Sequence, residues 1–79
     1  MNDVLAQVLE IIESKTKGAA APDDSFATLA IDSLGMAEIV AEIERKFDVK
    51  TDEEILNVNT SRELAAYISE LQKQQASKP

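Results

Sequence analysis

The chain has no cysteine, no histidine and no tryptophan, and only two glycines and two prolines among 79 residues. Without cysteine there can be no disulfide, and with histidine gone most transition-metal sites go too. The same absences remove the usual activating base and the thiol nucleophile, and no glycine-rich phosphate loop is present, so catalysis by this chain is not expected. No apolar run is long enough to span a bilayer. The N-terminus, with Asp3, Glu10 and Glu13, does not read as a signal peptide, and the expectation is a cytoplasmic protein with no membrane insertion. Positive charge is scarce as well: eight Lys and Arg stand against fifteen Asp and Glu, a net −7. That balance works against nucleic acid, whose phosphates need cationic side chains. It suits partners with basic patches, and equally keeps a small domain soluble.

What is present is helical patterning. Seventy-nine residues bound one domain, close to the lower limit for folding without metal or disulfides. From Asp3 to about Thr16, apolar residues at Val4, Leu5, Val8, Leu9, Ile11 and Ile12 recur with helical period. Asn2 or Asp3 opens this helix and Gly18 is expected to close it. Lys17 to Ile31 reads as a long loop with turn signals at Gly18, Pro22 and Asp23-Asp24-Ser25. A loop of that length is unusual in a compact domain. Phe26 and Leu29 can pin it across the helix ends, and Phe26 has a second reading as the border of a cavity.

The strongest stripe follows. Met36, Ile39, Val40, Ile43 and Phe47 lie three and four apart along one helix face, and Asp32 precedes the helix as an N-cap. The opposite face carries Glu38, Glu42, Glu44 and Arg45, with a like-charged Glu38–Glu42 pair that an isolated helix would disfavour. Thr51-Asp52-Glu53-Glu54 and Thr60-Ser61-Arg62-Glu63 both have the capping-box form. The first opens one short helix with Ile55, Leu56 and Val58 as its apolar contacts. The second opens the last helix, lined by Leu64, Ala65, Ile68 and Leu71 with Tyr67 at its border. Residues 72–79 turn polar and are expected to fray. Three single-striped helices and one short one must share a core. The predicted fold is therefore all-α, a small four-helix bundle with a long loop between helices 1 and 2, and a monomer.

Ser33 sits where the loop meets the second helix. A serine there is exposed, and a phosphate attached to it would meet the free N–H groups and positive dipole end of the helix. Asp32-Ser33-Leu34, at a loop-to-helix junction in an acidic chain of this size, resembles the acyl carrier proteins. Phe47-Asp48-Val49 and Thr51-Asp52-Glu53-Glu54-Ile55 extend the likeness, which runs from about Val4 to Leu71.

The resemblance implies that Ser33 carries 4′-phosphopantetheine, transferred from coenzyme A by a phosphopantetheinyl transferase that reads Asp32. The arm's thiol would hold acyl intermediates for fatty-acid, polyketide or specialised lipid biosynthesis. Leu34, Glu38 and Glu44 would dock basic patches on acyl-loading and acyl-processing enzymes. Met36, Ile39, Val40, Ile43, Ile55, Ala65 and Ile68 would line the space where an acyl chain tucks. The likeness has departures: Ala30 stands where the family usually has glycine, Thr28 where an acidic residue is common, and Gly35 where many fatty-acid carriers have Asp. These leave attachment at Ser33 untouched and open a specialised carrier beside the housekeeping one. A peptidyl or aminoacyl carrier and an unmodified helical adaptor are the alternatives. A helix-turn-helix DNA binder is remote because no helix is basic.

Overall fold

The computed structural model of the chain describes residues 3–16 and 18–76. Its elements are α1 (Val4–Thr16), α2 (Ser33–Phe47), a 3₁₀ turn (Glu53–Asn57) and α3 (Ser61–Ala76), joined by a long loop and two short ones. The expected architecture is present: three main helices, one short one, and no strand among the described residues beyond an isolated Ser25–Thr60 bridge.

Each helix buries the stripe read from its spacing. Val8, Ile11 and Ile12 of α1, Ile39 and Ile43 of α2, and Leu64, Ala65, Ile68 and Leu71 of α3 form the centre of the core. Met36, Val40 and Phe47 pack at its edge, partly exposed. α1 packs against both α2 and α3, whereas α2 and α3 approach each other at few points. The connections add Phe26, Val49 and Ile55 to this core, all buried, with Val58 packed against it.

The ends of the elements differ from the sequence reading in instructive ways. Asp3 caps α1 through the Leu5 N–H (3.1 Å); Asn2, the alternative cap, lies outside the described residues. Gly18 does not take the left-handed backbone of a helix-closing glycine. Instead Glu13 reaches past the helix end and accepts from the Ala20 N–H at 2.9 Å. Asp52, not Thr51, caps the short helix, which is 3₁₀ rather than α, because the Thr51 hydroxyl is committed to Glu44. The second box forms nearly as written: Thr60 accepts from the Glu63 N–H, while the Glu63 carboxylate takes the N–H of Asn59, one residue further out. The helix does not end before Gln72, where fraying was expected to begin. α3 continues to Ala76, and Gln75 clasps both the N–H and the carbonyl of Lys50. Residues 77–79 of that tail lie outside the described residues.

The long loop is ordered by its own hydrogen bonds. Pro22 starts a turn closed by Asp24 N–H to the Ala21 carbonyl (3.1 Å). Ser25 then caps a single helical turn through the Thr28 N–H. That turn closes with Ala30 N–H on the Ala27 carbonyl and Ile31 N–H on the Phe26 carbonyl, the paired bonds of a Schellman motif. Its penultimate position requires a left-handed residue, and Ala30 occupies it at φ 60°. This is the position at which the family's glycine is missing, and the turn supplies the reason for that glycine. Phe26 is buried and Leu29 packs against the core, so the loop is pinned as expected.

A left-handed conformation costs an L-residue about 1–2 kcal/mol, and glycine loses about 0.4–1 kcal/mol through the freedom of its unfolded chain. Ala30→Gly should therefore raise stability by a net of about 0.5–1 kcal/mol, seen as a higher urea midpoint at unchanged slope. Ala30→Val, β-branched at the same φ, should lower it.

Candidate functional site

Ser33 is the first residue of α2, and its side chain is exposed. Asp32 before it is extended (φ −88°, ψ −176°), and its Oδ1 accepts from the Gly35 N–H at 2.8 Å. The N-cap read from the sequence is thus formed. Gly35 gives it room: a Cβ there would lie 3.2 Å from Asp32 Oδ1 and 3.4 Å from the Ile31 side chain. By position, the N–H groups of Ser33 and Leu34 have no partner inside the helix and point to the same end.

Beside Ser33 opens a groove of about 540 Å³. Ile31, Met36 and Val40 form one wall, Ile55, Leu56 and Val58 the other, with Phe26 at the base and Ser33 at the rim. Its lining is mainly apolar, apart from Asp32, Ser33 and Asn59. Of the seven residues expected to line an acyl space, Met36, Val40 and Ile55 line this groove. Ile39, Ile43, Ala65 and Ile68 do not: they are buried in the core and absent from its lining. Ile31, Val58 and Leu56 line the groove without having been assigned to it. Helical period alone could not place them, since Ile31 lies in the loop and the other two at the short helix. Phe26 does both things considered for it, anchoring the loop and bordering the groove.

The three expected docking residues separate. Leu34 is 68% exposed, directly after Ser33. Glu38 is exposed, but Lys15 of α1 stands 3.6 Å from it and 3.3 Å from Glu42. The like-charged pair on α2 thereby gains a cation between its members, which gives it a reason within the fold. Glu44 faces another way. Its Oε2 accepts from the Thr51 N–H (2.9 Å) and the Thr51 hydroxyl (2.8 Å), tying α2 to the start of the 3₁₀ turn. Those bonds, the backbone one foremost, hold the Glu44 carboxyl below its ordinary value, with Lys50 assisting. Tyr67 completes the anchor: its hydroxyl donates to Asp52 Oδ1 (2.7 Å) and accepts from the Asp52 N–H (2.9 Å).

The family described as "Phosphopantetheine attachment site" matches residues 3–68. The chain belongs to that family, the acyl carrier proteins. It is 36% identical over 77 residues to the meromycolate extension acyl carrier protein of Mycobacterium tuberculosis strain H37Rv, covering 91% of this chain and 67% of that protein. It is 37% identical over 75 residues to the acyl carrier protein of Kineococcus radiotolerans, covering 89% and 93% respectively. A member of this family is a carrier rather than a catalyst, and its cofactor is covalent 4′-phosphopantetheine. Its partners are a phosphopantetheinyl transferase and acyl-processing enzymes. No helix among the described residues is long and apolar enough to cross a membrane.

Two predictions follow from the geometry. Asp32→Ala should cost about 1 kcal/mol in urea unfolding and Asp32→Asn almost nothing, because Asn caps as well as Asp. A carboxylate whose folded value is depressed stabilises the fold above its ordinary value and loses that contribution as pH falls through the folded value. Glu44→Gln should therefore be less stable than the wild type at pH 7. Below the ordinary glutamate value of 4.5 the two midpoints should converge.

Proposed function

We propose that Ser33 is the residue that carries the phosphopantetheine arm and that the groove beside it shelters the acyl group. The observation that carries this reading is the position of one exposed hydroxyl at the start of α2, on the rim of a mainly apolar groove. The residues suit the group. A phosphate on Ser33 would lie at the N–H end of α2, where Ser33 and Leu34 offer unpaired donors and the helix dipole favours negative charge. Asp32 already takes the Gly35 N–H, so its carboxylate is fixed at the side of the hydroxyl rather than free to compete for the same donors.

When bound, the arm supplies a terminal thiol that holds a carboxylic group as a thioester. What this chain supplies is presentation. Ser33 contributes the hydroxyl oxygen that becomes the phosphodiester oxygen, with coenzyme A losing adenosine 3′,5′-bisphosphate and the proton passing to a base of the transferase. Nothing in the chain activates that hydroxyl, and the described residues include no His or Cys near it. Asp32 fixes the first turn and offers a charge beside Ser33 for the transferase to read. Met36, Val40, Ile55 and Val58 give a chain of methylenes a surface away from water, worth about 0.8 kcal/mol for each CH₂ that is fully buried. Sheltering in an open groove buries less than that. The cargo is accordingly an acyl group of lipid biosynthesis, handed between cytoplasmic enzymes.

The test is intact mass before and after incubation with coenzyme A, Mg²⁺ and a broad-specificity phosphopantetheinyl transferase, with Ser33→Ala alongside. The expected result is one added phosphopantetheine group in the wild type and none in the variant. Addition to the variant would move the site elsewhere.

A further inference from the structure

Three polar side chains interrupt the apolar lining of the groove: Asp32, Ser33 and Asn59. Asp32 takes the Gly35 N–H, and Ser33 is the attachment point. Asn59 follows Val58 on the other wall, and neither the fold nor the arm has called on its amide. Its backbone is fully engaged. The N–H donates to Glu63 Oε1 (2.8 Å), and the carbonyl accepts from the N–H of Phe26 (2.8 Å), the residue at the base of the groove. Asn59 is thus held in place from both sides.

The fold has no need of an amide at this position. Asparagine serves a turn by tolerating a left-handed backbone, or a helix by capping it with its side chain. Neither applies here. Among the described residues the left-handed positions other than glycine are Ala30 and Asp48, and it is the Thr60 hydroxyl that caps α3 through the Glu63 N–H. The side-chain bond Asn59 makes is Nδ2 to the Asn57 carbonyl at 3.4 Å, beyond the usual range for a good hydrogen bond. The amide is exposed on the lining, with an acceptor and a donor to offer whatever enters the groove.

We propose that Asn59 selects the cargo: the acyl group sheltered beside Ser33 carries a hydroxyl or keto oxygen on its chain, and the Asn59 amide pairs with that oxygen. The proposal rests on attachment at Ser33 and on shelter in the groove. A saturated chain laid along Val58 and Phe26 takes water from the amide and returns no partner. Leaving a covered polar group unpaired costs more than a made hydrogen bond gains. An oxygenated chain restores the bond, and because an amide both donates and accepts, hydroxyl and keto groups both fit. Ile31, Met36, Val40 and Ile55 still receive the methylenes. One placed polar group on an apolar surface is how a small-molecule site gains specificity.

The experiment loads the full chain with the same broad-specificity transferase, using octanoyl- and 3-hydroxyoctanoyl-coenzyme A as donors, so that each acyl group arrives on the arm. Asn59→Ala and Asn59→Leu are compared with the wild type, with circular dichroism and urea midpoints establishing that both are folded. The first readout is the rate of thioester cleavage by hydroxylamine, taken relative to the same acyl group on free pantetheine so that intrinsic reactivity cancels. The second, read for a 3-oxooctanoyl group as well, is the NMR position of the Asn59 side-chain NH₂ signals. The wild type should protect the hydroxyacyl thioester about three-fold or more better than the octanoyl one, the size of one hydrogen bond. Both variants should lose that difference, and Asn59→Leu should protect the octanoyl group at least as well as the wild type. The NH₂ signals should move with either oxygenated group and keep their holo position with octanoyl. Equal protection of the two groups in the wild type would overturn the proposal, as would a preference that persists in both variants. NH₂ signals that move fully when the bare arm is attached would assign the amide to the arm's own amides and overturn it too. Thioesters all cleaved at the free rate would instead overturn shelter in the groove, and a Ser33 that takes no group would overturn attachment, with this proposal falling in either case.

Discussion

α1 is the surface on which both other long helices rest. α2 and α3 each pack against it and touch each other little, because each helix has one apolar stripe and can turn it in only one direction. The rest of the core comes from what is not a long helix: Phe26 from the loop, Val49 and Ile55 from the second connection, and Val58 at the edge. The groove beside Ser33 is the space left where the loop, α2 and the short turn meet, with no α3 residue in its lining.

Short elements also need to be held by something other than their own burial. The second connection is fixed at one end by Glu44 on Thr51, by Tyr67 on Asp52 and by Gln75 on Lys50. At the other end the Phe26 N–H meets the Asn59 carbonyl, and the Arg62 N–H meets the Pro22 carbonyl. Arg62 adds a bidentate pair to Asp23, which is fully exposed and so contributes more to placing the loop than to stability. Polar groups at the perimeter do here what a thicker core would do in a larger protein. The N-terminal half of the loop and the short turn are consequently tied to α3, while Ser33 is tied to neither.

Periodicity made the three long helices legible, since a stripe three and four residues apart has one reading over a dozen residues. It also made the buried set legible: Val8, Ile39, Ile43, Leu64 and Ile68 are all fully buried. The groove was less so, because the pattern that predicts burial does not say which buried residue borders a space. Ile39 and Met36 belong to the same stripe, but only Met36 meets the groove. The hold of Glu44, expected as a docking residue, on Thr51 was not legible, because a sequence shows that a carboxylate lies off the apolar stripe, not that a loop folds back to use it. The left-handed positions were hidden for a related reason. Both glycines avoid that region, and Ala30 and Asp48 occupy it, so the residue type gave no signal for the turn.

The distribution of strain and support bears on what the site has to do. The junction before Ser33 holds a left-handed alanine, and the helix that follows begins with an exposed cap and a glycine. In an enzyme this would be a poor foundation, since transition-state stabilisation needs donors held to fractions of an ångström. A carrier makes a different demand. Its reactive centre is at the far end of a flexible arm, and the reacting geometry is imposed by the enzyme that receives it. What the chain must fix is coarser: that the hydroxyl is outside, that the groove is beside it, and that a partner can approach. A capped helix start with its hydroxyl exposed meets that demand, and a left-handed alanine just before it costs the chain no chemistry of its own.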